Sequence, residues 1–168
     1  FDRISEELKK HHQVLSVTGM EDILGANHNT RSVVVEGMFD DQSFWYPAFL
    51  VRYDFIETFD IPVVEGRAFS RDFPSDTSEA IMINESMVKH LGWTNEEAIG
   101  KAIRSDGNER VIGVFSDFNA VSHHKPAGNF VLDMLEHPGA AAALTRYMAV
   151  KVNSQDYTGV LKYMGVVW

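Results

Sequence analysis

Seven histidines are the first side chains in this sequence that could do chemistry, and four of them stand in adjacent pairs, His11-His12 and His123-His124. Imidazoles hold zinc, copper or nickel when several converge on one ion. Adjacent side chains diverge by ~100° on a helix and face opposite ways on a strand, which places neighbours poorly for sharing an ion. Neither HExxH nor HxH occurs, and His28, His90 and His137 have no carboxylates spaced around them as co-ligands. Asp72, Asp76 and Glu79 are spaced loosely like a calcium loop but lack its glycine and ligand order, so they read as a solvated acidic loop. No metal and no cofactor is expected.

Nucleophilic chemistry is equally unsupported. There is no cysteine, which removes disulfides, thiolate nucleophiles and thiol-ligated metal centres together. Gly-x-Ser-x-Gly is absent and no Walker motif occurs, so neither a nucleophile elbow nor a phosphate loop is present. Among 24 acidic residues nothing singles out two as an acid–base pair. The densest aromatic run, Phe44-Trp45-Tyr46 before Pro47, is the candidate ligand or partner surface, set against burial in a core or seam. The residues predict a non-catalytic domain.

The chain that must position these groups has 168 residues, 45% of them hydrophobic and 23% charged, the balance of a folded globular protein. Its net charge of −9 and the absence of a basic run argue against nucleic acid as a partner. No run approaches the ~20 apolar residues of a membrane-spanning helix. The start at Phe1-Asp2-Arg3-Ile4 has neither an initiator Met nor a signal peptide and reads as a piece of a longer chain.

Periodicity predicts a helix over 2–11, with Phe1, Ile4 and Leu8 on one stripe, and strands at Val14–Met20, Ser32–Glu36, Phe44–Tyr53 and Ala80–Ile83. Asp54 with Glu57 reads as a capping box opening a short helix, and Thr94 with Glu97 repeats the pattern. Asn84 reads as a helix cap, and Gly92 and Gly100 as helix ends. Lys101–Arg104 and Glu109–Phe115 form a predicted hairpin, in which Gly113 admits the close approach of backbone or a large side chain. Further strands are expected at Asn129–Leu135 and Arg146–Asn153, with a loop at Ala140–Ala143. The last element is a helix from about Asp156 that presents Tyr157, Val160, Leu161, Met164 and Trp168 on one face. Interspersed helices and hairpin-linked strands make the class α+β.

Three stretches in order carry a resemblance: Glu65-Gly66-Arg67-Ala68-Phe69, then Asn84-Glu85 through Leu91-Gly92 to Ile99-Gly100-Lys101, then Val111-Ile112-Gly113-Val114 with Asp117-Phe118. Together they resemble the MacB-like periplasmic core domain of ABC-transporter permeases in the FtsX/MacB superfamily, over residues 14–153. Asn119 and Ser122-His123-His124 depart from the family's pattern, which bears on partner details. The matching positions Gly66, Arg67, Asn84, Glu85, Gly100, Gly113, Asp117 and Phe118 are expected to be structural.

The resemblance implies a porter-like α/β part built from both chain ends, residues 1–43 and 109–168, with a smaller mixed α/β subdomain, residues 44–108, inserted between them. It implies the periplasmic domain of an inner-membrane protein, lying between two membrane helices, with both termini at one end. The implied partners are the chain's own transmembrane helices, a cytoplasmic ABC ATPase, a second permease copy and a periplasmic substrate or partner protein. The implied role is to transmit ATP-driven motion, in efflux or in lipoprotein or peptide export. The residues alone leave open a ligand-binding sensor module, or a secreted hydrolase with a cleft between subdomains.

Overall fold

A computed structural model describes residues 1–24, 29–38, 43–104, 108–118, 128–134, 143–153 and 157–168. Helix α1 (Asp2–Leu8) leads through a turn into β1 (Val14–Met20), followed by β2 (Asn29–Val35) and β3 (Ser43–Val51). The single-turn helix α2 (Phe55–Thr58), β4 (Val63–Gly66), α3 (Asp76–Glu79), β5 (Ala80–Asn84), α4 (Glu85–His90) and α5 (Asn95–Ala98) come next. The chain continues with β6 (Ile103–Arg104), β7 (Arg110–Phe115), β8 (Val131–Met134), β9 (Tyr147–Val152) and α6 (Tyr157–Val167). The fold is α+β, with a curled sheet. No helix among the described residues is long and apolar enough to cross a membrane.

The sheet runs β4-β7-β5-β8-β3-β1-β9, and β2 leaves it by pairing with both β3 and β6. Because β6 returns to β7 through the Ala102–Arg110 bridge, β7, β5, β8, β3, β2 and β6 close into a ring. Residues alternate between its two faces, as the pleat requires. Tyr46, Ala48, Ile81, Ile83, Ile103, Val114 and Val131 face one core with Met87 and Val88 of α4 and Ala98 of α5. Phe49, Val51, Met82, Phe115, Leu132 and Met134 face another with Phe55, Ile56 and Phe69. Apolar residues on both faces explain why β5 reads as a continuous apolar run rather than an alternating one.

A third, smaller core belongs to the chain ends. Helices α1 and α6 cover one face of the β1–β9 pair, where Leu8, Val14, Val17 and Val160 are buried with Ile4, Met148, Val150, Met164 and Val167 around them. The other face of that pair meets α2, whose Thr58 hydroxyl lies 3.0 Å from that of Ser16. Among the described residues, the strand pairing of β1 with the ring is at Met20 opposite Val51, and the Thr18 hydroxyl adds a bond to the Arg52 carbonyl at 3.2 Å. The backbone bonds from Glu21 N–H to Leu50 O (3.0 Å) and from Arg52 N–H to Gly19 O (2.9 Å) complete this joint. Strands β3 and β5 hydrogen-bond to β8 and β7, so the sheet is continuous between residues 44–108 and 109–168.

Several expectations are corrected by the structure. Asp54 does not cap α2: its φ is +68° and it makes no side-chain cap bond. Its carboxylate instead takes Lys9 Nζ at 2.7 Å and Arg71 at 2.9 Å. The stripe assigned to the last helix is also different, because Tyr157, Leu161 and Trp168 are exposed while Tyr163, Met164 and Val167 accompany Val160 inward. His11 and His12 do not diverge; their rings stack at 4.8 Å because both lie in the turn after α1 rather than on a regular element. His28, His123, His124, His137, Asn119, Ser122 and the tract 140–142 lie outside the described residues.

Gly113 illustrates the local logic. A Cβ there would stand 2.2 Å from the carbonyl oxygen of Arg67, and one on Gly66, whose φ is +71°, would stand 2.3 Å from that of Ile112. The two glycines therefore let β4 cross β7 at backbone contact. Gly113→Ala should lower stability by about 1–3 kcal/mol, the usual cost of overpacking a filled site. A lower urea midpoint with an unchanged slope is the expected signature.

Candidate functional site

The matching motif positions converge in two places. The first is Asn84, at the end of β5, which caps α4: its Oδ1 accepts the Met87 N–H at 3.1 Å and the Phe130 N–H at 2.8 Å. Its Nδ2 donates to Asp117 Oδ1 at 2.7 Å and to the Gly128 carbonyl at 2.8 Å. All four hydrogen-bonding positions of the amide are thus used. Asp117 also accepts the Ser86 N–H at 2.9 Å and the Ser86 hydroxyl at 2.7 Å. Phe118 follows, packed against Phe115 and Phe130 with ring centroids 5.8 and 5.7 Å apart. This knot ties the start of α4, the end of β7 and the segment before β8 to one another. Glu85 lies in the first turn of α4, where the helix dipole favours an acid.

Ser86 is the member of this knot that the sequence reading missed. The signal was there, since Ser86 and Lys89 have the Ser-x-x-Lys spacing of some acyl-transfer enzymes. Its hydroxyl is committed to a carboxylate that itself holds Asn84.

The second convergence is Gly66, Arg67 and Gly113, at the β4–β7 crossing. Arg67 forks onto Asp76, with contacts of 2.6 and 2.7 Å. Asp76 also accepts the Ser70 N–H at 2.9 Å, and the guanidinium lies over the Phe73 ring at 3.9 Å. The bonds from Asp76 raise the Arg67 pKa further above its ordinary value. Asp76 is only 1% exposed, so the acidic loop expected to be solvated is in part a buried ion pair. Gly100 stands apart from both places, at φ +83°, where it ends α5 and its carbonyl accepts Arg110.

The aromatic run is split by the pleat. Trp45 is exposed, Phe44 half-buried, and Tyr46 buried beside His90 with its ring edge-on at 5.8 Å. The structure therefore does not bring the three onto one surface. Among the described residues, no three His, Asp or Glu side chains are grouped to hold a metal ion. The geometry builds two polar knots, at Asn84–Asp117 and at Arg67–Asp76, and two helices from opposite ends of the chain on one strand pair.

This architecture is shared with the periplasmic region of MacB from Actinobacillus actinomycetemcomitans (TM-score 0.63, 17% identity, 95% of this chain and 67% of that one). It is shared as well with the extracellular domain of the noncanonic ABC-type transporter YknZ from Gram-positive bacteria (TM-score 0.62, 16% identity, 96% and 76%). No curated protein sequence matches the chain. The fold is thus that of extracytoplasmic domains of ABC-type transporters. Residues 3–160 match the model of the MacB-like periplasmic core domain, and the chain belongs to that family.

Proposed function

We propose that this domain transmits movement of membrane helices to a periplasmic substrate or partner protein, and that it performs no bond chemistry of its own. ATP would be hydrolysed by a cytoplasmic ABC ATPase, and a second permease copy would complete the assembly in the membrane, serving efflux or lipoprotein or peptide export. The observation that carries this reading is the way the chain ends are built. Helices α1 and α6 share one core on the β1–β9 pair and are bonded directly, from Tyr163 hydroxyl to Glu7 carbonyl at 2.9 Å. They therefore move as one body, while β1 meets the ring at a single strand register. The moving lever would be the end-built unit of α1, β1, β9 and α6, and the ring the body it moves against. Of the part expected from both ends (1–43 and 109–168), β2, β7 and β8 are bonded into that ring together with the strands of the insert (44–108).

The test uses the whole permease with its ATPase in lipid. Spin labels at Lys162 on α6 and at Asp72 on the body, both exposed, should change separation when ATP is added. A Ser16→Cys/Thr58→Cys disulfide, feasible where the two hydroxyls now lie 3.0 Å apart, should abolish the change, and reduction should restore it. These 168 residues contain no cysteine, so the domain itself adds no competing thiol to the labelled and stapled positions. Equal separations with and without ATP would overturn the lever.

A further inference from the structure

Glu21 sits on the joint between the end-built unit and the ring, and the transmission reading gives its side chain no role. The residue is 4% exposed, and its Oε2 has no hydrogen-bond partner. Its backbone, by contrast, is fully engaged: the N–H donates to Leu50 of β3, and the carbonyl accepts Arg146 Nε at 3.0 Å. The charged groups around it come from each neighbouring strand. Asp22 is adjacent and lies 3.4 Å from Arg146 Nη2, on the segment entering β9. Arg31 approaches from β2, with its Nε 3.7 Å from Asp133 Oδ2 of β8.

An interior carboxyl lacking a partner on one oxygen is costly when ionised and tolerable when protonated. Both arginines are shared with other carboxylates, Arg146 with Asp22 and Arg31 with Asp133, so their charge offsets the burial of Glu21 only in part. We propose that Glu21 is a proton-operated latch on this joint. Protonated, its carboxyl stays inside and the Glu21–Leu50 bond holds the β1–β9 pair to β3. Ionised, the carboxylate is stabilised by reaching water, which opens the joint and frees the end-built unit.

Burial raises the Glu21 pKa above the ordinary 4.5, with Asp22 adding to the rise and Arg31, Arg146 and a hydrogen bond from the Leu50 backbone opposing it. The sign follows from linkage. Below the ordinary value both closed and open forms are protonated and the latch is shut. As pH rises from there through the raised pKa, the open form sheds its proton more readily, and the closed form loses its advantage. The proposal rests on the joint being the movable part, but its test needs neither ATP nor membrane helices, so the two readings can fail separately.

Amide hydrogen exchange of the 168-residue chain, corrected for intrinsic rates and read from about pH 4 to about pH 8, tests the latch. Protection at Glu21 and Arg52, whose N–H groups donate to Leu50 and Gly19 across the joint, should fall as pH rises. The fall should be about tenfold for each unit by which the buried pKa exceeds the free one. Ring amides such as Ile83 should not respond. Glu21→Gln should remove the pH dependence at the joint. Persistence of the dependence in that variant, or a flat profile in the native chain, overturns the proposal. Should the variant fail to fold, carboxyl-carbon NMR of the native chain decides: Glu21 titrating at or below 4.5 sinks the latch, and titrating above it supports it.

Discussion

Asn84→Asp should destabilise the domain by about 3–5 kcal/mol at neutral pH, the range seen when a buried polar network is broken and a charge is left unpaired. The substitution changes one amide group to oxygen, yet it strikes both donor bonds at once. Nδ2 now serves Asp117 and the Gly128 carbonyl, and a carboxylate in its place would face one negative and one partially negative oxygen at hydrogen-bonding distance. Asn84 is 1% exposed, so water cannot intervene. The cap on α4 would survive, because Oδ1 still accepts the Met87 N–H. Asn84→Ala should cost less, about 2–3 kcal/mol, since it removes the cap and orphans buried donors without adding charge. Acid separates the two variants. Facing carboxylates share a proton, so the aspartate variant should recover toward native stability below about pH 4, whereas the alanine variant should not. Urea midpoints at neutral and acid pH provide the measurement, and equal losses in both variants at neutral pH would show that charge is not the issue.

Arg67→Ala should cost about 3 kcal/mol, near the lower end for breaking a buried ion pair, because the guanidinium side is partly open to solvent. Arg67 is about a third exposed and Asp76 1% exposed, so the two ends of this pair are not equivalent. Removing the arginine leaves a buried carboxylate that keeps the Ser70 N–H as a donor, at 2.9 Å. Removing the charge at the other end, by Asp76→Asn, leaves a guanidinium that water can reach and that still lies over Phe73. Arg67→Ala should therefore be the more damaging of the two, by urea midpoint. Raising salt to about 1 M should change the gap little, because buried pairs are poorly screened. A larger loss from Asp76→Asn would mean that the carboxylate, not the arginine, organises the 66–76 segment.

How much of this was legible in the sequence depends on the range of the forces involved. The caps at Asn84 and Thr94 and the helix ends at Gly92 and Gly100 appear as predicted, with both bonds of the Thr94–Glu97 box in place. Those features are set within four residues of backbone, where residue type decides. Strand β1 occupies Val14–Met20 as its pattern predicts. Asp54 shows the opposite case. Its local pattern called for a cap, but Lys9 and Arg71, which are 45 and 17 residues away, take its carboxylate. Burial raises its pKa, and those bonds outweigh that and hold it below the ordinary value. The inward face of α6 was misread for the same reason, since the β1–β9 pair beneath it, and not the helix's own periodicity, selects which stripe is covered.

The sequence by itself determined the α+β class, the caps and turns, the close approach at Gly113 and, through three ordered motifs, the family. Only the tertiary structure decided that Asn84 and Asp117, 33 residues apart, share a hydrogen bond, that Arg67 and Asp76 form a buried pair, and that helices from both chain ends share one core on the β1–β9 pair. The reason is physical. Backbone conformation and capping are local free energies written in neighbouring residues. The partner of a buried polar group is chosen by whichever distant strand the closed sheet brings within hydrogen-bonding distance.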